Sequence, residues 1–176
     1  MKIMVTAFDA FDNRKINASS EVLKRLNDID KCYLEVGFNR VRDKIKTIIN
    51  NNYDYLILLG EAKSHNNITI EKRAINNANG IDNNGIKKDN EKIIPDGAYS
   101  LETTFDIDLS NLNLNYSDYA GAYLCNYVYY LSLYYNKVTK IVFIHLPFIK
   151  EEGGNMDVNV EVRTINDIID LIKGAK

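Results

Sequence analysis

The feature that most constrains this chain is the alternation of strand-like and helix-like segments in its first part. Three apolar runs of strand length lie at residues 2–7, 33–36 and 53–59. Between them, apolar residues recur at helical spacing instead. Such alternation favours a largely parallel sheet with helices on both faces.

The two intervening segments have recognisable helix boundaries. Ser19 or Ser20 is placed to cap a first helix that runs to about Leu26. A second helix is predicted over residues 41–49, where it stops at a run of asparagines.

The second half of the chain is less regular. An extended segment is predicted within 66–74, and the Asn-, Gly- and Asp-rich stretch 76–90 is typical of a long loop. Residues 106–116 are interpreted as strand-like or loop. We find no internal repeat or linker, so the sequence predicts one domain over residues 1–176.

The C-terminal part returns to order. A helix is predicted over residues 122–135, a buried strand over 139–144 and an amphipathic helix over 160–172. His145 directly follows the strand, and Pro147 ends it because proline cannot donate to a sheet ladder.

Composition excludes several classes of protein. Lys and Arg total 22 against 24 Asp and Glu, for a net charge of -2, which argues against a dedicated nucleic-acid binder. No apolar run approaches the roughly 18–20 residues that span a bilayer. Asp9 interrupts the N-terminus too early for the apolar core of a signal peptide. The expected location is therefore the cytoplasm, with no membrane partner.

Cysteine and histidine are scarce, with two of each: Cys32, Cys125, His65 and His145. This number does not support a disulfide scaffold. No Cys-x-x-Cys or His-x-x-x-His pair begins a zinc site, so no metal is expected.

Polar residues follow several strands at the edge where sites of open α/β sheets gather. Asp9, Glu61 and His145 each come at or just after a strand end, and Cys125 lies near the start of the 122–135 helix. A helix N-terminus stabilises a thiolate, and a histidine nearby can act as its base. The alternatives are a structural Cys125 and a core His145, because both residue types are common in protein interiors.

Four segments carry a resemblance to one family. They are VTAFDAF at 5–11 followed by KIN at 15–17, IEKRAIN at 70–76, AGAYLCNYVYY at 120–130 and FIHLPF at 143–148. In this order they resemble the motifs of pyroglutamyl peptidase I, also called pyrrolidone carboxyl peptidase, across nearly the whole chain.

The resemblance implies a three-layer α/β/α sandwich with a mostly parallel, mixed sheet. It implies a cysteine peptidase that removes an N-terminal pyroglutamyl residue from peptides. By this resemblance Cys125 is the nucleophile, His145 its base and Glu71 the carboxylate that orients the imidazole. Neither a metal nor an organic cofactor is expected, and a homo-oligomer, a dimer or tetramer, is expected by family analogy only.

The resemblance also implies a binding pocket for the lactam ring. Phe8 and Phe11 would form its apolar walls, with ordinary core packing as the alternative. Glu61 stands where relatives often have glutamine, and Asn17 matches the asparagine of the first motif. Cys32 matches no motif and is interpreted as a core residue.

The chain departs from the family in four places. The first loop lacks two glycines and a proline, and the loop GEAKSH at 60–65 keeps only the Gly and Ala of G-x-A-G-G-R. An arginine credited with helping the oxyanion in the family is missing from 78–83, where Asn79 could donate only one neutral hydrogen bond. The span 104–120 is too short for the family's usual helix. A weakened peptidase, a cysteine hydrolase with another acyl or amide substrate, and a non-enzymatic binding protein therefore remain alternatives.

Overall fold

The fold was analysed in a computed structural model that describes residues 1–10 and 14–175. Phe11 lies outside the described residues, so its expected role in the pocket stays a prediction. The elements in chain order are β1 (Ile3–Phe8), α1 (Ala18–Arg25), β2 (Asp30–Leu34), α2 (Phe38–Ile49), β3 (Tyr55–Glu61), β4 (Thr69–Glu71), β5 (Arg73–Ile75), β6 (Ala78–Ile81), β7 (Lys87–Glu91), β8 (Ser100–Glu102), β9 (Asn115–Ser117), α3 (Leu124–Tyr135), β10 (Lys140–Leu146) and α4 (Val158–Gly174).

Six strands form the central sheet in the order β2-β1-β3-β10-β4-β9. All neighbours are parallel except β10 and β4, which run antiparallel. This mixed, mostly parallel sheet confirms the fold class predicted for the chain. The pairs β5–β8 and β6–β7 form two small antiparallel sheets beside it.

The sheet separates two hydrophobic cores. Met4, Leu56 and Phe143 point to the core that α2 and α3 cover. Their neighbours Val5, Ile57 and Val142 point to the opposite core, under α1 and α4. Because side chains alternate along a strand, each buried strand contributes to both cores, which explains its uninterrupted apolar sequence.

The start of α1 corrects one prediction. Asn17, not Ser19 or Ser20, caps the helix, and its Oδ1 accepts from the Ser19 backbone N–H at 2.9 Å. Asn17 has the extended backbone of an N-cap residue, whereas both serines already lie inside the helix.

The stretch 76–90 is not the long loop that its composition predicted. It contains the antiparallel pair β6–β7. The buried Asp82 closes the turn, where its Oδ1 accepts from the backbone N–H groups of Asn84 and Ile86, both at 2.9 Å. Since this hairpin is mostly exposed, it has no apolar alternation from which a strand could be predicted.

The remaining segments follow the expected pattern with shifted boundaries. The extended stretch within 66–74 becomes β4 and β5, and β9 occupies the end of the region interpreted as strand-like or loop. Within the described part of the chain, no helix has the length and apolar character needed to cross a membrane.

Candidate active site

A cavity of about 340 Å³ opens where β1, β3 and β10 end and α3 begins. Phe8, Glu61, Cys125 and His145 line it together, although they are far apart in the sequence. The carboxyl ends of parallel strands meet at one edge, so the topology alone brings three of these residues together.

Cys125 is the second residue of α3 and is only partly buried. The backbone N–H groups of a first helical turn have no partner within the helix, so the start of α3 carries a partial positive charge. The site thus combines an accessible sulfur atom with hydrogen-bond donors for negative charge.

Gly60 allows the thiol to lie directly against the sheet. A Cβ atom at this position would lie 2.8 Å from the Cys125 Sγ and 2.6 Å from the Phe143 Cζ. Gly60 is also the residue paired with His145 between β3 and β10. Any larger residue at position 60 would fill the space in which the sulfur and the imidazole meet.

His145 and Glu71 are held on adjacent strands. Their Nδ1 and Oε1 atoms are 2.7 Å apart, and both residues are buried, with 5% and 0% of their surface exposed. In the antiparallel register of β10 and β4, Thr69 lies opposite His145 and Glu71 opposite Phe143. Glu71 is therefore the diagonal neighbour of His145, which is within reach of a long side chain.

The imidazole of His145 is surrounded by partners that favour its charged form. Burial by itself lowers the pKa of His145, but hydrogen bonds to Cys125 and Glu71 and the charges of these groups outweigh burial and raise that pKa to about 9. Since Nδ1 contacts Glu71, Nε2 is the ring nitrogen left for Cys125. A pKa of about 9 favours the imidazolium form of His145 at neutral pH, next to the Glu71 carboxylate.

Glu61 and Asn17, both predicted to bind substrate, line the cavity but have structural partners of their own. The Glu61 carboxylate forms an ion pair with Arg14, and its Oε2 accepts from the Ala18 N–H at 3.0 Å. Arg14 also contacts Glu152 at 3.1 Å. Both predicted residues thus hold the start of α1 against the cavity, while Phe8 is a buried part of its wall.

Asn126 is a positioning residue that the sequence interpretation missed. Its Nδ2 donates to the backbone carbonyls of Ile75 and Asn77 at 2.8 and 2.9 Å, and its Oδ1 accepts from the Ile75 N–H at 2.8 Å. These three bonds fix the first turn of α3 to the end of β5 and the residues that follow it. The signal available in the sequence was an asparagine directly after the cysteine in a mostly apolar helix, and the structure shows that this amide is fully buried.

His65 is a second residue of the site to which the sequence interpretation assigned no function. It lines the cavity, its Nε2 lies 3.9 Å from the Glu71 Oε1, and its ring centre is 5.2 Å from that of His145. Burial and the nearby His145 lower the pKa of His65, against the opposing charge of Glu71. The sequence showed only a loop histidine at a position where the family motif has arginine.

The segment that lacks the family's arginine supports the loop before α3. The Asn79 N–H donates to the Ala122 carbonyl at 2.7 Å, and the Tyr123 hydroxyl donates to the Ile81 carbonyl at 2.8 Å. Among the residues that line the described cavity, none is a lysine or an arginine.

A mixed α/β sheet that places a cysteine and a hydrogen-bonded histidine–carboxylate pair at one cavity defines the class of cysteine hydrolases. The model of the pyroglutamyl peptidase family matches residues 1–169. The chain belongs to the pyroglutamyl peptidase family.

Similar proteins agree with this assignment. A pyrrolidone-carboxylate peptidase of Staphylococcus aureus strain JH9 is 34% identical and covers 86% of this chain and 81% of the relative. Pyrrolidone-carboxylate peptidase 1 of Caldanaerobacter subterraneus is 33% identical, covering 99% and 96%. A mutant pyrrolidone carboxyl peptidase from Pyrococcus furiosus has a similar structure, with a TM-score of 0.89, 25% identity and full coverage of both chains.

Proposed function

We propose that this protein is a cysteine omega-peptidase that removes an N-terminal pyroglutamyl residue from peptides. The observation that carries the proposal is His145, which lies between Cys125 and Glu71 at the edge of a small cavity. Family membership supplies the substrate class, and the geometry supports a role for each of the three side chains.

In the first step the Cys125 thiolate attacks the carbonyl carbon of the pyroglutamyl–peptide bond. A carbon–sulfur bond forms, and the carbonyl oxygen takes the negative charge. The imidazolium of His145 then gives its proton to the leaving nitrogen as the carbon–nitrogen bond breaks. The shortened peptide leaves, and the pyroglutamyl group stays on Cys125 as a thioester.

In the second step water replaces the peptide. Neutral His145 takes a proton from the water, whose oxygen attacks the thioester, and the carbon–sulfur bond breaks to release pyroglutamate. The thiolate and the imidazolium are thereby restored. The backbone N–H of Cys125, in the free first turn of α3, is a donor for the oxyanion of both steps.

Glu71 is assigned the positioning role. Its Oε1 accepts from His145 Nδ1, which keeps the other ring nitrogen directed at the thiol and stabilises the imidazolium. Glu71 does not itself take the proton in this mechanism.

The cavity suits a small, uncharged acyl group. Phe8 supplies an apolar wall, as expected for packing on a lactam ring, and Asn17 lies beside it. The Glu61 charge is balanced by Arg14, so a neutral lactam is not placed against an unpaired carboxylate. Phe8, Asn17 and Glu61 remain proposed substrate contacts.

Hydrolysis of a pyroglutamyl-coumarin amide under reducing conditions tests the proposal. We expect turnover by the unaltered protein and a loss of about a thousandfold or more in the Cys125→Ala variant. Cys32→Ala is the matched control, because Cys32 is buried in β2 away from the cavity. Turnover that survives Cys125→Ala would contradict the proposal.

A second candidate function is the hydrolysis of a different acyl group or amide. The observation in its favour is the cavity lining, which has no lysine or arginine among the described residues to replace the family's oxyanion arginine. It predicts ready alkylation of Cys125 by iodoacetamide without turnover of the pyroglutamyl substrate. Normal pyroglutamyl activity would exclude it, and any turnover abolished by Cys125→Ala would exclude a purely non-enzymatic binding protein.

Three further expectations complete the proposal. We infer one domain over residues 1–176, because a single sheet carries helices on both faces.

A cytoplasmic location fits a peptidase that needs a reduced thiol, and cell fractionation tests it. A homo-oligomer follows from family analogy alone, and a monomeric mass by light scattering would contradict it.

A further inference from the structure

His65 has no role in the proposed reaction, yet it lies against the residues that do. Its Nε2 is 3.9 Å from the Glu71 Oε1, and the His65 and His145 rings face each other at 34° with their centres 5.2 Å apart. One ring nitrogen of each histidine and one Glu71 oxygen lie within 4.8 Å of one another. Three potential ligand atoms thus converge on one point beside the cavity.

The Glu71 carboxylate has one oxygen atom that the proposed reaction does not use. The residue is fully buried, and its Oε2 has no hydrogen-bond partner among the described residues. A buried carboxylate oxygen without a donor is costly, so a positively charged partner at this point would be favourable. The unpartnered oxygen belongs to the carboxylate that already lies between the two imidazoles.

We propose that His65, Glu71 and His145 form a binding site for a divalent transition-metal ion of the zinc class, and that the bound ion inhibits the enzyme. Ligand atoms around a tetrahedral zinc ion lie roughly 3.3 Å apart. The 3.9 Å contact of His65 with Glu71 must therefore close, and the 2.7 Å contact of Glu71 with His145 must open, each by roughly half an ångström. The ring nitrogens of His65 and His145 lie within 4.8 Å of each other and must close by up to about 1.5 Å, through movement of His65.

The ligand set and its surroundings favour this class of ion. Two imidazoles and one carboxylate suit zinc, cobalt and nickel, whereas magnesium and calcium prefer oxygen ligands throughout. His65 belongs to the segment between β3 and β4, and 24% of its side chain is exposed, so it can move to close the site. The Ser64 hydroxyl, 3.5 Å from the His65 Nδ1, is placed to orient the ring with Nε2 toward the ion.

Inhibition follows from the position of the ion. An ion bonded to both Glu71 and His145 replaces the hydrogen bond that holds the imidazole toward Cys125. The positive charge of the ion also disfavours the protonated, positively charged form of His145 next to it. The inhibitory effect rests on the proposed function, but ion binding does not, so the two can fail separately.

Cobalt absorption measures binding without reference to activity. The full-length protein, freed of metal by chelation, is titrated with Co²⁺ in the absence of thiol reductants. We expect visible d–d bands of a four- or five-coordinate ion, without the near-ultraviolet band of thiolate coordination, and we expect Zn²⁺ to displace them. Mg²⁺ at the same concentration should leave the spectrum unchanged.

Variants separate this site from the thiol. In Cys125→Ala the cobalt spectrum should persist, whereas in His65→Asn the affinity should fall by about tenfold or more. Lys63→Asn, a change in the same loop, is the matched control and should retain the affinity. Inhibition by Zn²⁺, measured for each variant against its own metal-free rate, should weaken in His65→Asn and stay unchanged in Lys63→Asn.

Two results would overturn the proposal. One is a thiolate band that disappears in Cys125→Ala, which would place the ion between Cys125 and His145. The other is cobalt affinity that does not change in His65→Asn. If cobalt binds as expected but no pyroglutamyl turnover exists to inhibit, the metal site stands and the proposed function fails.

Discussion

At the scale of single residues, the site depends on contacts between side chains that are distant in sequence. Cys125, His145 and Glu71 each come from a different element, and their order in space is sulfur, imidazole, carboxylate. Gly60 contributes by having no side chain at all. Each of these contacts makes a separate experimental prediction.

Replacing Glu71 by glutamine tests the positioning role. The substitution keeps the shape but removes the charge and can present an N–H to His145, which disturbs the tautomer. We expect kcat to fall by roughly 10²- to 10⁴-fold with a smaller change in KM. Glu102→Gln, an exposed change in β8, should leave both constants unchanged. A Glu71→Gln enzyme with full kcat would contradict the assignment.

Replacing Gly60 by alanine tests the close approach of the thiol. The new methyl group would lie 2.8 Å from the Cys125 sulfur, so the sulfur or the strand must shift. We expect a loss of about 1–3 kcal/mol in the free energy of unfolding, with slower alkylation of Cys125. Gly174→Ala is the control, since no atom lies within 4 Å of its Cβ position. Equal alkylation rates in both variants would contradict the argument.

At the scale of elements, the position of Cys125 is set by the way α3 is attached. The first turn of α3 has no side-chain cap from Tyr123, and the Asn126 amide instead joins it to the backbone of Ile75 at the end of β5. The β6 strand supports the preceding loop through Ala122. The irregular middle of the chain therefore supports the first turn of α3, which carries Cys125.

Replacing Asn126 by alanine should weaken this attachment. Three hydrogen bonds disappear, and the backbone groups of Ile75 lose their partners. We expect a loss of about 2–4 kcal/mol in the free energy of unfolding, measured by urea denaturation, and a lower kcat. Asn159→Ala on the exposed face of α4 should change neither quantity. Unchanged stability in Asn126→Ala would show that other contacts hold the first turn of α3 in place.

At the scale of the whole molecule, one sheet both divides the core and carries the site on its edge. The core under α1 and α4 also encloses a group of acidic side chains. Glu161 of α4 is fully buried, and neither of its carboxylate oxygens has a hydrogen-bond partner among the described residues. Burial, and then repulsion by Glu152, Glu61 and Glu151, raise the pKa of Glu161 to about 8. Arg14, paired with Glu61 and Glu152, provides the compensating charge at this point.

This buried carboxyl predicts a pH-dependent stability. Between its ordinary pKa of 4.5 and its folded pKa of about 8, Glu161 binds a proton in the folded state but not in the unfolded state. The free energy of unfolding should therefore fall as pH rises through this window. Glu161→Gln, which cannot ionise, should be more stable by about 2–4 kcal/mol at the alkaline end and nearly equal at the acidic end.

Urea denaturation from about pH 5 to about pH 9 measures this difference. Asp170→Asn, an exposed change on the same helix, controls for the loss of a charge and should follow the unaltered protein. Parallel curves for Glu161→Gln and the unaltered protein would refute the prediction.

The sequence by itself determined the alternation of elements, the fold class and the family. Long buried strands and amphipathic helices carry their periodicity in local sequence, and the four motifs lie in continuous segments. The tertiary structure decided what depends on contacts between distant residues: the Asn17 cap, the β6–β7 hairpin closed by Asp82, and the convergence of His65 with Glu71. Exposed hairpins and loop histidines leave no periodic signal, because their conformation is set by hydrogen bonds and packing across the chain rather than by burial of one face.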